Sequence, residues 1–255
     1  MARSTPKTGG FRWRLWLSLL ALGAVGVSTA MAALKVRRFV VTDPRFALSR
    51  DAGSLTISGL QYTERPKVLR VFAGDFDHSV FSAPLDERRR RLLAIDWVED
   101  ASVSRVWPDR LAVRIQERKP VAFVLLRSNV LLIDAHGALL NLPAQSQFTF
   151  PVLAGIREDQ TSEQRLDCVR AFLQVERELG YLTKDLSEVN AADPDDIRVV
   201  AQVENRAIEL ILGDTNYARR YQNFLAHYPE IARRSPEVKT FDLRLDDRIL
   251  AKDKE

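Results

Sequence analysis

"WVEDASVSRVWPDRLAVRIQERKPVA", residues 97–122, decides the fold. Two alternating runs flank Trp107-Pro108-Asp109. On the first, Ala101, Val103, Arg105 and Trp107 share one face; on the second, Leu111, Val113 and Ile115 share another, with Arg114 and Gln116 turned out. A period of two marks a half-buried strand. Pro108 fixes φ where the chain must reverse, and Asp109 completes the turn. The stretch predicts a hairpin.

Working upstream, "SAPLDERRRRLLAIDWV" predicts a helix. Ser82 suits the N-cap, Pro84 the first turn, and Asp86 and Glu87 the positive helix end. Leu85, Leu92 and Leu93 at i, i+7, i+8 form a buried stripe, and Arg88 to Arg91 mostly cover the wet face. With two acids beside it, the arginine run reads as a solvated face rather than a polybasic binding surface. "ERPKVLRVFAG" predicts an earlier helix, entered at Pro66, carrying Val68, Leu69 and Phe72, and stopped at Gly74. "SLTISGL" (54–60) alternates as a strand ending at Gly59. The order strand, helix, helix, strand, strand predicts a small sheet with both helices on one face.

From Leu15 to Leu34, twenty residues carry no charge. As a helix they span about 30 Å, the hydrocarbon thickness of a bilayer. Trp13 and Trp16 sit where an interfacial aromatic belt lies, and four basic residues precede the run, which votes for a cytoplasmic N-terminus. Lys35, Arg37 and Arg38 beyond it weaken that vote. A cleaved signal peptide is the competing reading, with Ala30-Met31-Ala32 as its small-x-small site, but the apolar run is long for one. Either way the body crosses a membrane. "RFVVTDPRFALSRDAG" then reads as an extended linker.

The net charge of +4 belongs to that segment. Seven of the 38 basic residues and no acid fall within positions 1–38, so the remainder holds 31 basic against 34 acidic residues, a net of −3. Such a body has no bulk attraction for phosphate backbones, which excludes a nucleic-acid binder of the electrostatic kind. The single cysteine, Cys168, excludes an internal disulfide and reads as a small buried side chain on a helix.

Downstream, "LLIDAHGALLN" (131–141) predicts a hairpin with an Asp-x-x-Gly turn. "FPVLAGI" (150–156) follows, then a helix over about 162–180 with Leu166, Val169, Phe172 and Leu173 on one side. "DIRVVAQVENRAIELILGD" predicts a strand pair turning near Glu204-Asn205. The next helix, "NYARRYQNFLAHYPEIARR", has Tyr217, Tyr221, Phe224 and Leu225 at i, i+4, i+7, i+8. Last comes a strand in "TFDLRLDDRIL", with Phe241, Leu243 and Leu245 on one face and Asp242, Arg244 and Asp246 on the other. Coming last in the sheet, it is expected to leave an edge of unpaired backbone groups.

No catalytic signature accompanies these elements. His78, His136 and His227 share no ligand spacing, and no nucleophile motif or glycine-rich phosphate loop is present. "VTDPR" and "LGDTN" lack the glycine of an aspartic-protease loop, and Asp195-Asp196 and Asp246-Asp247 read as solvated chance neighbours. The expectation is a chain without catalytic, metal or cofactor residues.

The words "ISG", "VFAGDFDHSVFSAPLD" and "WVEDASVSRVWPDRLAVRIQERKPVAF", in that order, resemble the POTRA domain of the FtsQ/DivIB family of bacterial cell-division proteins. "LLIDAHGALLN", "FPVLAGI" and "VKTFDLRL" extend the likeness over essentially the whole exported body. The resemblance implies an α+β protein: a cytoplasmic tail (1–14), a transmembrane helix (15–34), a linker (35–53), a β-α-α-β-β POTRA domain (54–120), a mixed α+β domain with an antiparallel-rich sheet (121–251) and a tail (252–255). It implies a non-enzymatic divisome scaffold of the inner membrane, N-terminus cytoplasmic and body periplasmic, enriched at the septum. The implied partners are FtsB-like and FtsL-like small membrane proteins, with no nucleic acid or small-molecule substrate. They would bind by β-augmentation at Phe241, Asp242, Leu243, Arg244 and Leu245, and the POTRA domain would dock other divisome proteins around Trp97, Arg105, Trp107 and Pro108. A POTRA-containing outer-membrane assembly or secretion component is the alternative, although one copy with no room for a barrel fits it poorly.

Overall fold

A computed structural model describes residues 10–127, 129–144 and 147–252. The tails expected at 1–14 and 252–255 therefore lie largely outside the described residues. The first element, α1 (Gly10–Thr42), runs eight residues past the expected end of the span. Within it, Leu19–Thr42 is long and apolar enough to cross a bilayer, with a mean hydropathy of 1.8 and no part of that window buried.

The extended linker expected over 35–53 is corrected here. Nothing from Lys35 to Thr42 breaks a helix, and the first breaker is Pro44, whose ring disfavours helical backbone at the residue before it. Asp43 is accordingly extended, and its carboxylate accepts from Arg45 N–H to cap a 3-10 turn, Pro44–Phe46. The chain then packs into the domain that follows: Phe46 and Leu48 are buried, and Leu48 N–H donates to His78 O at 2.9 Å. Two apolar residues among charges gave no periodicity to read.

The chain divides into two compact units, Met1–Gln116 and Glu117–Glu255. The first contains β1 (Leu55–Ser58), α2 (Arg65–Val71), α3 (Leu85–Leu93), β2 (Val98–Val106) and β3 (Arg110–Glu117). Its sheet has the order β1-β3-β2, with β1 parallel to β3 and Leu55 opposite Leu111. Leu111, Val113 and Ile115 are buried, as their alternation demands, against Val68, Phe72 and Leu92 from the helices. The Trp107–Pro108 peptide in the hairpin turn is cis. Gly59 has φ +86°, and a Cβ there would lie 1.9 Å from Ile115 O, so "ISG" is a word only glycine can end.

One arginine of the helical run goes inward. Arg88 is buried, its guanidinium donating to both oxygens of the buried Asp75 at 2.6 and 2.9 Å. Arg89, Arg90 and Arg91 remain exposed.

The second unit holds β4 (Pro120–Leu126), β5 (Asn129–Asp134), β6 (Leu139–Asn141), β7 (Val152–Ala154), α4 (Ser162–Leu179), β8 (Leu186–Asn190), β9 (Ile197–Val203), β10 (Arg206–Gly213), α5 (Tyr217–Arg234), β11 (Thr240–Asp242) and β12 (Leu250–Lys252). Its strands form one mixed sheet in the order β12-β11-β10-β9-β8-β7-β4-β5-β6, mostly antiparallel, with parallel pairs β4–β7, β7–β8 and β10–β11. Val169 and Phe172 of α4 and Tyr221 and Phe224 of α5 join Val124, Val189, Val199 and Leu210 in a single core. α4 opens on a capping box between Thr161 and Gln164. The β5–β6 turn is built on Asp134, whose carboxylate accepts from the backbone of His136 and Ala138 and from Arg118. At the β9–β10 turn Glu204 and Asn205 both have positive φ, as a two-residue hairpin loop requires.

Candidate docking surfaces

A sheet that recruits another chain does so at an open edge, so the position of each rim decides which residues a partner can reach. β11 is not at the rim. It pairs in parallel with β10 through Phe241 and Leu210, and on its other side β12 runs antiparallel, placing Ala251 opposite Phe241. The expectation of one long terminal strand with Phe241–Leu245 as its edge is therefore corrected. Among the described residues the edge on this side is Leu250–Lys252.

The chain leaves β11 because Asp242 turns it. Its Oδ1 accepts from Arg244 N–H at 3.1 Å, an Asx-type reversal. Arg248 N–H donates to Leu245 O at 3.1 Å, closing a second turn that folds Leu250 back onto Asp242. Asp246 and Asp247, read from the sequence as solvated chance neighbours, form that turn, and Asp246 is held by Arg220 Nε at 2.9 Å.

The five expected contact residues are separated by this path. Phe241 is fully buried, its ring 5.2 Å from Phe224 and 6.4 Å from Tyr228, and it faces the core. Leu243 is buried too, with its N–H donated to Ile211 O at 2.9 Å. Leu245 is half exposed in the turn that leads to β12, whose three residues are all exposed. Asp242 is buried beneath its own ion pairs. Arg244 donates to it through Nε and Nη2 at 2.9 and 2.6 Å, and Lys252 Nζ lies 3.4 Å away. The Arg244 hydrogen bonds outweigh desolvation and hold the Asp242 carboxyl down to about 2. Arg244 also reaches Asp196 at 3.5 Å, which in turn holds Arg198 at 2.6 Å. The arginine is thus committed inside its own chain before any partner arrives.

On the first unit the four expected residues separate as well. Trp97 is 4% exposed, its ring 4.8 Å from that of Tyr62, and offers no docking face. The Arg105 guanidinium donates to Val80 O at 2.7 Å and Ala83 O at 2.8 Å, bracing the loop before α3. Pro108 is half-buried. Trp107, 75% exposed at the hairpin tip, is the open member of the set.

His78 and His227 each bond a carbonyl of their own neighbourhood, at 3.0 and 2.9 Å. Among the described residues no group of three or more His, Cys, Asp or Glu side chains is placed to hold a metal ion. Cys168 is buried in the α4 core, and burial pushes its thiol up from the ordinary range.

The family model described as "POTRA domain, FtsQ-type" matches residues 52–118. The chain is 33% identical over 247 residues to the "Cell division protein FtsQ" of Koribacter versatilis (strain Ellin345), covering 93% of this chain and 70% of that protein. It is 29% identical over 179 residues to the protein of the same description from Alcanivorax borkumensis, covering 67% of this chain and 63% of the relative. With that of Shewanella oneidensis it shares 24% over 241 residues, 92% of this chain and 84% of the relative. Among solved structures, the major extracytoplasmic domain of the trans isomer of DivIB from Geobacillus stearothermophilus aligns with 48% of this chain and 96% of that domain, at 21% identity and a TM-score of 0.27.

Proposed function

This chain belongs to the FtsQ family of cell division proteins, and from that premise we propose that it is a single-pass inner-membrane scaffold acting through protein contacts. Its tail faces the cytoplasm, its two units face the periplasm, and it gathers at the division septum. Partners of the FtsB and FtsL type, small membrane proteins with coiled coils, dock on the second unit. The POTRA unit is a further docking module. No step of this work makes or breaks a covalent bond.

The observation that supports the reading is the open rim at Leu250–Lys252, at the end of a sheet whose neighbouring strand is already paired on both sides. A partner strand can extend the ladder there. Three residues supply few backbone bonds, each contributing about 0.5–1.5 kcal/mol net. Leu245 and Leu250, each about half exposed, are the apolar anchors, with about half of the 1.5–3 kcal/mol of a full burial left to gain at each.

The test is co-purification of the full chain with its own small coiled-coil membrane proteins. Ala251→Pro and Leu250→Ser should abolish recovery of the partners while leaving the thermal melt unchanged. Partners recovered in full with folded variants would remove β12 as the site. Depletion should give filamentous cells with unseparated septa; an envelope-assembly defect without filaments would revive the outer-membrane alternative.

A further inference from the structure

We propose that the tip of the POTRA hairpin, Val106 and Trp107 together with Phe81, rests on the anionic headgroup layer of the membrane that α1 enters. The proposal rests on the reading of α1 as a retained span and assigns the open surface at Trp107 to lipid.

Distance comes first. The charge-free run ends at Leu34, and α1 continues unbroken for eight residues to Thr42. At 1.5 Å per residue, Thr42 lies about 12 Å above the hydrocarbon edge if the helix is upright. The headgroup layer is about 5–7 Å deep on each side. A tilt of about 20°, ordinary for such helices, lowers that height by under about 1 Å, so the hairpin tip must reach back about 5 Å from the helix end to meet the layer.

The POTRA unit is fastened to that end. Ser79 Oγ donates to Val40 O at 2.8 Å, and the rings of Phe39, Phe46 and Phe81 follow edge to face with centroids 5.9 and 5.6 Å apart. Arg105 then ties β2 to the carbonyls on either side of Phe81, so a continuous packed path leads from the helix end to the hairpin tip. Along that path Phe39, Val41, Phe81, Val106 and Trp107 all keep large apolar surfaces in the open. Tryptophan is the side chain best suited to the interface, an apolar body with one polar handle.

Charge agrees with the placement. Between positions 35 and 50 five basic residues stand against one acid, and since Arg45 pairs with Asp43 and Arg50 with Asp77, the positive excess rests on Lys35, Arg37 and Arg38. Arg45 lies over the Phe39 ring at 5.6 Å, within the aromatic cluster itself. A basic collar beside exposed aromatics complements anionic phospholipid.

The test uses the full chain in nanodiscs of phosphatidylglycerol or phosphatidylcholine, with acyl chains brominated close to the headgroup. Trp13→Phe and Trp16→Phe remove emission from the span, leaving buried Trp97 as a constant background to Trp107. The expected result is a blue-shifted Trp107 emission that the bromines quench in phosphatidylglycerol discs more than in phosphatidylcholine discs, with the quenched component absent from a further Trp107→Phe variant. Emission unquenched in both discs overturns the proposal, and so does quenching indifferent to lipid charge. Protection that appears only on adding a division partner also overturns it and assigns the tip to protein. Failure of the chain to enter discs at all would instead defeat the reading of α1.

Discussion

The Arg88 guanidinium meets the Asp75 carboxylate on two hydrogen bonds inside the POTRA core, joining α3 to the loop that follows α2. A two-point arginine–carboxylate pair fixes orientation as well as charge. Removing one member of such a buried pair strands the other, at a cost of about 3–5 kcal/mol. Arg88→Met should therefore lower stability by about that amount, and Arg88→Met with Asp75→Leu should recover most of the loss. Urea unfolding of the two variants beside the parent measures both.

Asp242 supplies a pH dependence. Its carboxyl is held at about 2 in the folded chain, against 3.8 for an unperturbed aspartate. A depressed carboxylate stabilises the fold above its unfolded value, and the contribution is lost as pH falls through the folded one. Asp242→Asn should be less stable than the parent at pH 7 by about 1–2 kcal/mol, reduced from the full shift because Arg244 is half exposed. The gap should narrow below pH 4 and close near pH 2. Thermal melts from pH 7 down to pH 2 measure it; a gap that widened with acid would refute the pairing.

Gly59→Ala is expected to damage the POTRA unit more than its size suggests. The positive φ alone costs a non-glycine residue about 1–3 kcal/mol, and the added Cβ would meet Ile115 O at 1.9 Å, which only a shift of β3 can relieve. The melting temperature of the variant should fall by several degrees, with the hairpin losing amide-exchange protection first.

Proline separates the two strands that share the terminal turn. Leu243→Pro deletes the N–H donated to Ile211 O and disturbs a buried leucine, so it should lower stability by about 3 kcal/mol or more. Ala251→Pro sits on the rim and should leave the melt unchanged while removing partner binding. Equal loss of stability in both would show that β12 is integral to the core.

Much of this was legible in the sequence, and the exceptions share a cause. α4, α5 and the β2–β3 hairpin each carry an apolar period and lie where that period places them, whereas α3 starts later than Ser82 suggested: Pro84 stands at its N-cap, and Ser82 Oγ donates to Ser79 O instead. Position 88 was hidden because an arginine in a run of four looks wet; only the three-dimensional nearness of Asp75 draws it inward. Trp97 was expected on a docking surface through the resemblance alone, whereas Tyr62, far off in sequence, covers its ring. The terminal edge was misplaced by a few residues, since Phe241 to Leu245 alternates perfectly on paper. An aspartate that bonds the backbone two residues on outweighs alternation, and the chain reverses. What the sequence cannot display is partnership across distance.

The join between α1 and the first unit leaves almost no slack. A single extended residue, Asp43, separates the last helical turn from a turn already packed into the domain. Whatever twists or tilts the span therefore twists or tilts the POTRA unit with it, as a crank moves with its shaft. A neighbour that grips only the apolar helix can thereby aim the POTRA unit without touching it.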